Sequence, residues 1–98
     1  MILGHYRKRP AEVWLYGIDL TDWLVGSDNI SNATASAACL STPGTVTLSI
    51  LATSHANHEV TVKVSGGTAG EVYKVTVLAT SHDGLINESE FLLSVEAV

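Results

Sequence analysis

Four runs in this chain alternate apolar and polar residues with a period of two, and that alternation restricts the fold more than any other feature. Val46, Leu48 and Ile50 alternate with Thr45, Thr47 and Ser49, and Val60, Val62 and Val64 with Glu59, Thr61 and Lys63. Tyr73, Val75, Val77 and Ala79 alternate with Lys74, Thr76 and Leu78, and Phe91, Leu93 and Val95 with Glu90, Ser94 and Glu96. Successive side chains of a strand point to opposite faces, so each run puts β-branched or aromatic residues on one face and mostly polar ones on the other. That pattern belongs to antiparallel sheets with one buried face.

The breaks between runs agree. Thr42-Pro43-Gly44 is a turn signal, and Ala56-Asn57-His58 turns the next corner. Ser65-Gly66-Gly67-Thr68-Ala69-Gly70 reads as an irregular loop, because its glycines favour turn conformations. His82-Asp83-Gly84-Leu85 predicts a tight hairpin and so makes the last two strands neighbours. Ahead of these runs the signals are weaker: a strand over 12–16, a helical turn over 19–24 capped by Asp19 or Thr21, and a strand over 34–40 despite its alanines. About seven short strands in 98 residues predict two packed sheets, an all-β, immunoglobulin-like sandwich of antiparallel strands. The Cys–Trp–Cys signature of antibody domains is missing, and the strand order is left open. We expect residues 1–24 to form an extended N-terminal docking arm and residues 25–98 the sandwich.

Composition narrows the class. The chain is 46% hydrophobic and 15% charged, a balance that supports a packed core rather than disorder. Cys39 is the sole cysteine, so an internal disulfide is impossible and a buried, inert thiol is expected. No signal peptide or run of membrane-spanning length is read, and the three Asn-X-Ser/Thr triplets at Asn29, Asn32 and Asn87 are taken as turn chemistry. The net charge is −5, and beyond Arg9 only Lys63 and Lys74 stand against all ten acidic residues. Such a body repels phosphate backbones, so neither nucleic acid nor membrane is an expected partner.

The search for chemistry finds little. His55 and His58 flank a turn with no third ligand near in sequence, and His5 and His82 read as solvated. Asp19 and Asp22 lie near Trp14 and Trp23, but they read as cap and turn residues rather than a glycosidase pair. The glycine-rich loop lacks the Lys-Ser/Thr of a phosphate-binding loop and precedes a strand. No catalytic residue, metal or cofactor is expected.

One feature points to binding. Tyr6, Trp14, Tyr16 and Trp23 are four of the six aromatics, and Arg7, Lys8 and Arg9 are three of the five basic residues. Trp, Tyr and Arg dominate interface energetics. Tyr6, Arg7, Lys8, Arg9, Trp14, Tyr16 and Trp23 are therefore the candidate partner-binding residues.

The chain also resembles a known group. Lys8-Arg9-Pro10-Ala11-Glu12, Tyr16-Gly17-Ile18-Asp19-Leu20-Thr21-Asp22-Trp23-Leu24 and Asp28-Asn29-Ile30 resemble the opening of small phage virion proteins of the fibre–tail adaptor type. Residues 64–75, the Ser81-His82-Asp83-Gly84 turn and Glu88-Ser89-Glu90-Phe91 resemble their second half. The resemblance implies a non-enzymatic, oligomeric virion component, assembled in the host cytoplasm, whose partners are other structural proteins: tail fibre, tail tube, portal or capsid. It would join fibres to the tail or portal complex, or decorate the capsid. The alternative from another class is a carbohydrate-binding module, with Trp14, Tyr16 and Trp23 as stacking platforms.

Overall fold

The computed structural model describes residues 2–24, 26, 28–41 and 47–96. Among them run seven strands and no helix: β1 (Ile2–Lys8), β2 (Trp14–Asp19), β3 (Ile30–Cys39), β4 (Leu48–His55), β5 (Glu59–Gly66), β6 (Val72–Ser81) and β7 (Ile86–Val95). They form a four-stranded sheet of order β1-β7-β6-β3 and a three-stranded sheet of order β2-β5-β4. The fold is therefore the expected two-layer β-sandwich. The expected turn at Thr42-Pro43-Gly44 and the first residues of the expected strand, Thr45 and Val46, lie outside the described residues.

The alternating runs form the core as their periodicity requires. Val60, Val62 and Val64 from one sheet meet Tyr73, Val75, Val77, Phe91, Leu93 and Val95 from the other, all at most 1% exposed. Each such side chain contributes roughly 1.5–3 kcal/mol on leaving water, which makes this double layer the main drive to fold. Asp83-Gly84 forms the β6–β7 turn with Gly84 at φ 87°, and those two strands pair antiparallel along their length. β3 is longer than its sequence predicts. Its inward residues Ala33, Ala35 and Ala37 pack on the core, and small side chains there let β3 lie close beside β4 of the facing sheet.

Two features differ from the sequence reading. The pairing is not wholly antiparallel: β1 runs parallel to β7, because no hairpin joins them and most of the chain lies between. The residues expected as an arm, 1–24, supply β1, β2 and the turn that follows, within the two sheets.

Loops at one end are tied by side chains. The Tyr73 hydroxyl accepts the Thr68 N–H at 2.8 Å and lies 2.7 Å from the Thr47 hydroxyl. Gly67, at φ 96°, passes so close to the core that a Cβ would sit 2.7 Å from Val95. The glycine run is thus a close-packed closure of the sandwich, not a ligand cradle.

Candidate docking surface

The surface is built by the two edge strands β1 and β2, which lie on the same flank of the sandwich. Their contact is aromatic: the Tyr6 and Tyr16 rings are 5.3 Å apart, and both meet Phe91 of β7, at 5.6 and 5.0 Å. Strand alternation explains which side chains reach the surface. Trp14, Tyr16 and Ile18 pair with Val64, Val62 and Val60, so they share the inner face. Leu15, paired with Lys63, faces outward.

The seven candidate residues separate. Tyr16 is half-buried in the aromatic cluster, and burial pushes its hydroxyl up to about 12, with Glu12 and Tyr6 adding to the effect. Its oxygen has no hydrogen-bond partner among the described residues. Trp23 packs on the core from a single helical turn in which Trp23 and Leu24 donate to the Leu20 carbonyl. Asp19 caps that turn, accepting from the Thr21 N–H at 2.9 Å and from its hydroxyl, which hold its carboxyl below the usual range. The turn expected over 19–24 is present, and Asp19 is engaged within it.

Lys8 also turns inward. It is 2% exposed, and its ammonium donates to the carbonyls of Gly66 at 2.5 Å, Arg9 at 2.7 Å and Pro10 at 3.5 Å. Burial lowers its pKa, against the opposing pull of Glu12 and Tyr73. Lys8 pairs in register with Val95, an inward residue, so the alternation of β1 sends Arg7 out and Lys8 in. The basic triplet is one structural cation between two surface arginines. Arg7 lies 3.5 Å from Glu96, while Arg9 and Glu12 exchange bonds, Arg9 N–H to the Glu12 carboxylate at 2.7 Å and Glu12 N–H to the Arg9 carbonyl at 3.1 Å.

What stays at the surface is Tyr6, Arg7, Arg9 and Trp14, joined by Val13 and Leu15. Trp14 is 49% exposed, Val13 52% and Leu15 63%. Val13 and Leu15 were missed in the sequence, although the phase of β2 marks Leu15 as outward. Beside them Arg7, Lys8, Arg9, Glu12 and Glu96 line an open cleft of about 140 Å³. That is well short of the roughly 300–1,000 Å³ of a small-molecule site, and within it Arg7 is already paired with Glu96 while the Lys8 ammonium is held by backbone carbonyls.

Elsewhere the expected candidates have structural partners. His5 bonds the Ser94 hydroxyl at 2.6 Å, and the buried Cys39 thiol donates to Glu71 at 3.3 Å. Among the described residues no group of His, Cys, Asp and Glu is placed to hold a metal. No helix is long and apolar enough to cross a membrane.

Comparison with known families returns one finding that fits this geometry. The family model Gp77, described as podophage GP4 fiber-tail adaptor protein gp77, matches residues 8–94. No curated protein matches the sequence.

Proposed function

The chain belongs to the podophage GP4 fiber-tail adaptor family, a family of phage structural proteins, and from that membership we propose how it joins parts of the virion. The β1–β2 flank docks on a neighbouring structural protein, and the sandwich is the rigid body that carries the flank. One face of the adaptor thereby holds a tail fibre to the tail or portal complex. No chemical step is involved.

The observation that carries this reading is the exposure of Val13, Trp14 and Leu15 together at an edge strand, with Tyr6, Arg7 and Arg9 beside them. Apolar side chains left exposed on both faces of one edge strand, with arginines beside them, suit a protein partner. The free edge of β2 also offers unpaired backbone groups to an extended segment of that partner. The acidic balance beyond Arg9 disfavours nucleic acid as the occupant.

Trp14→Ala tests it. Truncating a central interface tryptophan costs about 2 kcal/mol or more, roughly thirtyfold in affinity. Phage carrying the variant should yield particles depleted of fibres in electron micrographs, while the purified variant keeps its β-type circular dichroism. Fully fibred particles from a Trp14→Ala, Leu15→Lys double variant would contradict the reading. So would a glycan array in which Trp14→Ala loses binding while particles assemble normally, which would favour a carbohydrate-binding module.

A further inference from the structure

The free edge of β3 is unlike the other three sheet edges. Proteins guard such edges with bulges, short strands, proline or charges turned inward. β1 has a register shift between Ile2 and His5 and the inward Lys8. β2 is only six residues long, and β4 is interrupted by a register shift between Ile50 and Ala52. β3 has ten residues, none of them charged and none proline. Its one register shift falls between Ile30 and Asn32, so residues 32–39 run regularly against β6. Among the described residues β6 is its sole ladder neighbour.

The register shows which backbone groups are left over. In an antiparallel pair, alternate residues exchange both backbone bonds with the strand opposite, and the residues between turn theirs away. The Leu40 N–H donates to the Val72 carbonyl at 2.8 Å, one step beyond the Cys39–Tyr73 pair, so the even residues of β3 bond to β6. Ala33, Ala35 and Ala37 therefore direct N–H and C=O to the free edge. Their side chains lie inward yet are only half-buried, while Asn32, Thr34, Ser36 and Ala38 are exposed on the outer face.

The segment also reads almost alike in both directions: about Ala35, Thr34 matches Ser36 and Ala33 matches Ala37. We propose that the β3 edges of two copies of this chain pair antiparallel about a two-fold axis through Ala35, joining two four-stranded sheets into one. Ala33 then meets Ala37 of the other copy and Ala35 meets its own counterpart, and each of these pairs exchanges two backbone bonds. Thr34 stands across from Ser36, hydroxyl beside hydroxyl. The contact is isologous and closes at two, because the guarded β1 edges become the ends of the joined sheet. An edge ladder lies at the small end of specific interfaces, below about 1,200 Å², so the dimer forms at micromolar concentration. The sheet orders put β3 and β4 on the flank opposite β1 and β2, so each copy keeps its docking flank free. That the dimer is thereby bivalent rests on the proposed function; the pairing itself does not.

The test is the molar mass of the full chain by light scattering after size exclusion, across a micromolar concentration series. The wild type should reach the dimer mass and change little with salt, since no ion pair is involved. Ala35→Pro removes an N–H that β6 does not use, so it should keep the β-type circular dichroism and raise the dissociation constant at least about tenfold. The double variant Thr34→Lys, Ser36→Lys sets lysine against lysine across the axis and should run as a monomer. Thr34→Lys, Ser36→Glu sets opposite charges there and should restore the dimer. Circular dichroism checks that each variant is folded, and if Ala35→Pro is not, the two charge variants decide. A wild-type monomer at every concentration, assembly growing beyond two copies, a dimer that survives the paired lysines, or one that the lysine–glutamate variant fails to restore would each overturn the proposal. Trp14→Ala should leave the dimer unchanged, so failure of fibre docking and failure of self-association are read separately.

Discussion

Two tyrosines at the residue scale have opposite hydrogen-bond states. The Tyr73 hydroxyl serves two partners, the Thr68 N–H and the Thr47 hydroxyl, and ties the loop after β5 to the start of β4. Tyr73→Phe should therefore lower the stability measured in urea by about 1 kcal/mol. The Tyr16 oxygen is buried without a partner among the described residues, so Tyr16→Phe removes a desolvated group and breaks none of their bonds. That variant should be at least as stable as the wild type. The same burial predicts a pH dependence. Tyr16 ionises near 12 in the fold and near 10 in the unfolded chain, so the unfolded state gives up its proton first. Its contribution is intact below pH 10 and lost as pH rises towards 12. Melting temperature followed over pH 9–12 should fall less steeply in Tyr16→Phe.

β1 is informative at the scale of the element. It is an edge strand in parallel pairing with β7, and its two inward side chains act at a distance: Tyr6 covers Phe91, and Lys8 binds the carbonyl of Gly66 on β5. It therefore clasps the two sheets together. Removing residues 1–9 should lower the melting temperature and expose Phe91, which a rise in binding of an apolar dye would report. An unchanged melting temperature would mean that the clasp contributes nothing. Lys8→Met is the finer probe, since it leaves a stem of similar shape but strips the carbonyls of Arg9, Pro10 and Gly66 of their donor. A loss of roughly 1–3 kcal/mol is expected.

Across the whole molecule, carboxylates hold the loops at both ends of a body with a 44 Å long axis. Asp28 accepts the amides of Asn29 and Asp83, while the His82 amide donates to the Asn29 carbonyl, and so the start of β3 is joined to the β6–β7 hairpin. Glu12 at the opposite end receives the Arg9 amide. Asp19, Asp28 and Glu12 all have lowered pKa values in the fold. A depressed carboxyl stabilises the fold above its unfolded pKa of about 4, and that stability is lost as pH falls through the folded value. Chemical denaturation should show stability level from pH 7 to about 5 and falling below about 4. Asp28→Asn should flatten that fall.

What the amino-acid order determined unaided was the layer structure. A period of two in residues 59–64, 73–79 and 91–95 needs no tertiary information, because the alternation of a strand is a local property and burial of one face is its necessary consequence. The Asp83-Gly84 hairpin was legible for the same reason, and so was the crowding of aromatics and arginines near the amino terminus. The tertiary structure alone decided the roles within that crowd. Arg7, Lys8 and Arg9 are chemically alike in sequence, yet Lys8 lies opposite Val95 and becomes a buried staple while its neighbours stay outside. Tyr16 and Trp14 differ by one strand period, but Tyr16 falls where Phe91 covers it, whereas Trp14 falls at the end of the sheet and stays 49% exposed. The parallel pairing of β1 with β7 depends on residues more than eighty positions apart. Contacts of that separation depend on where whole strands come to rest, and no local pattern of residues encodes them.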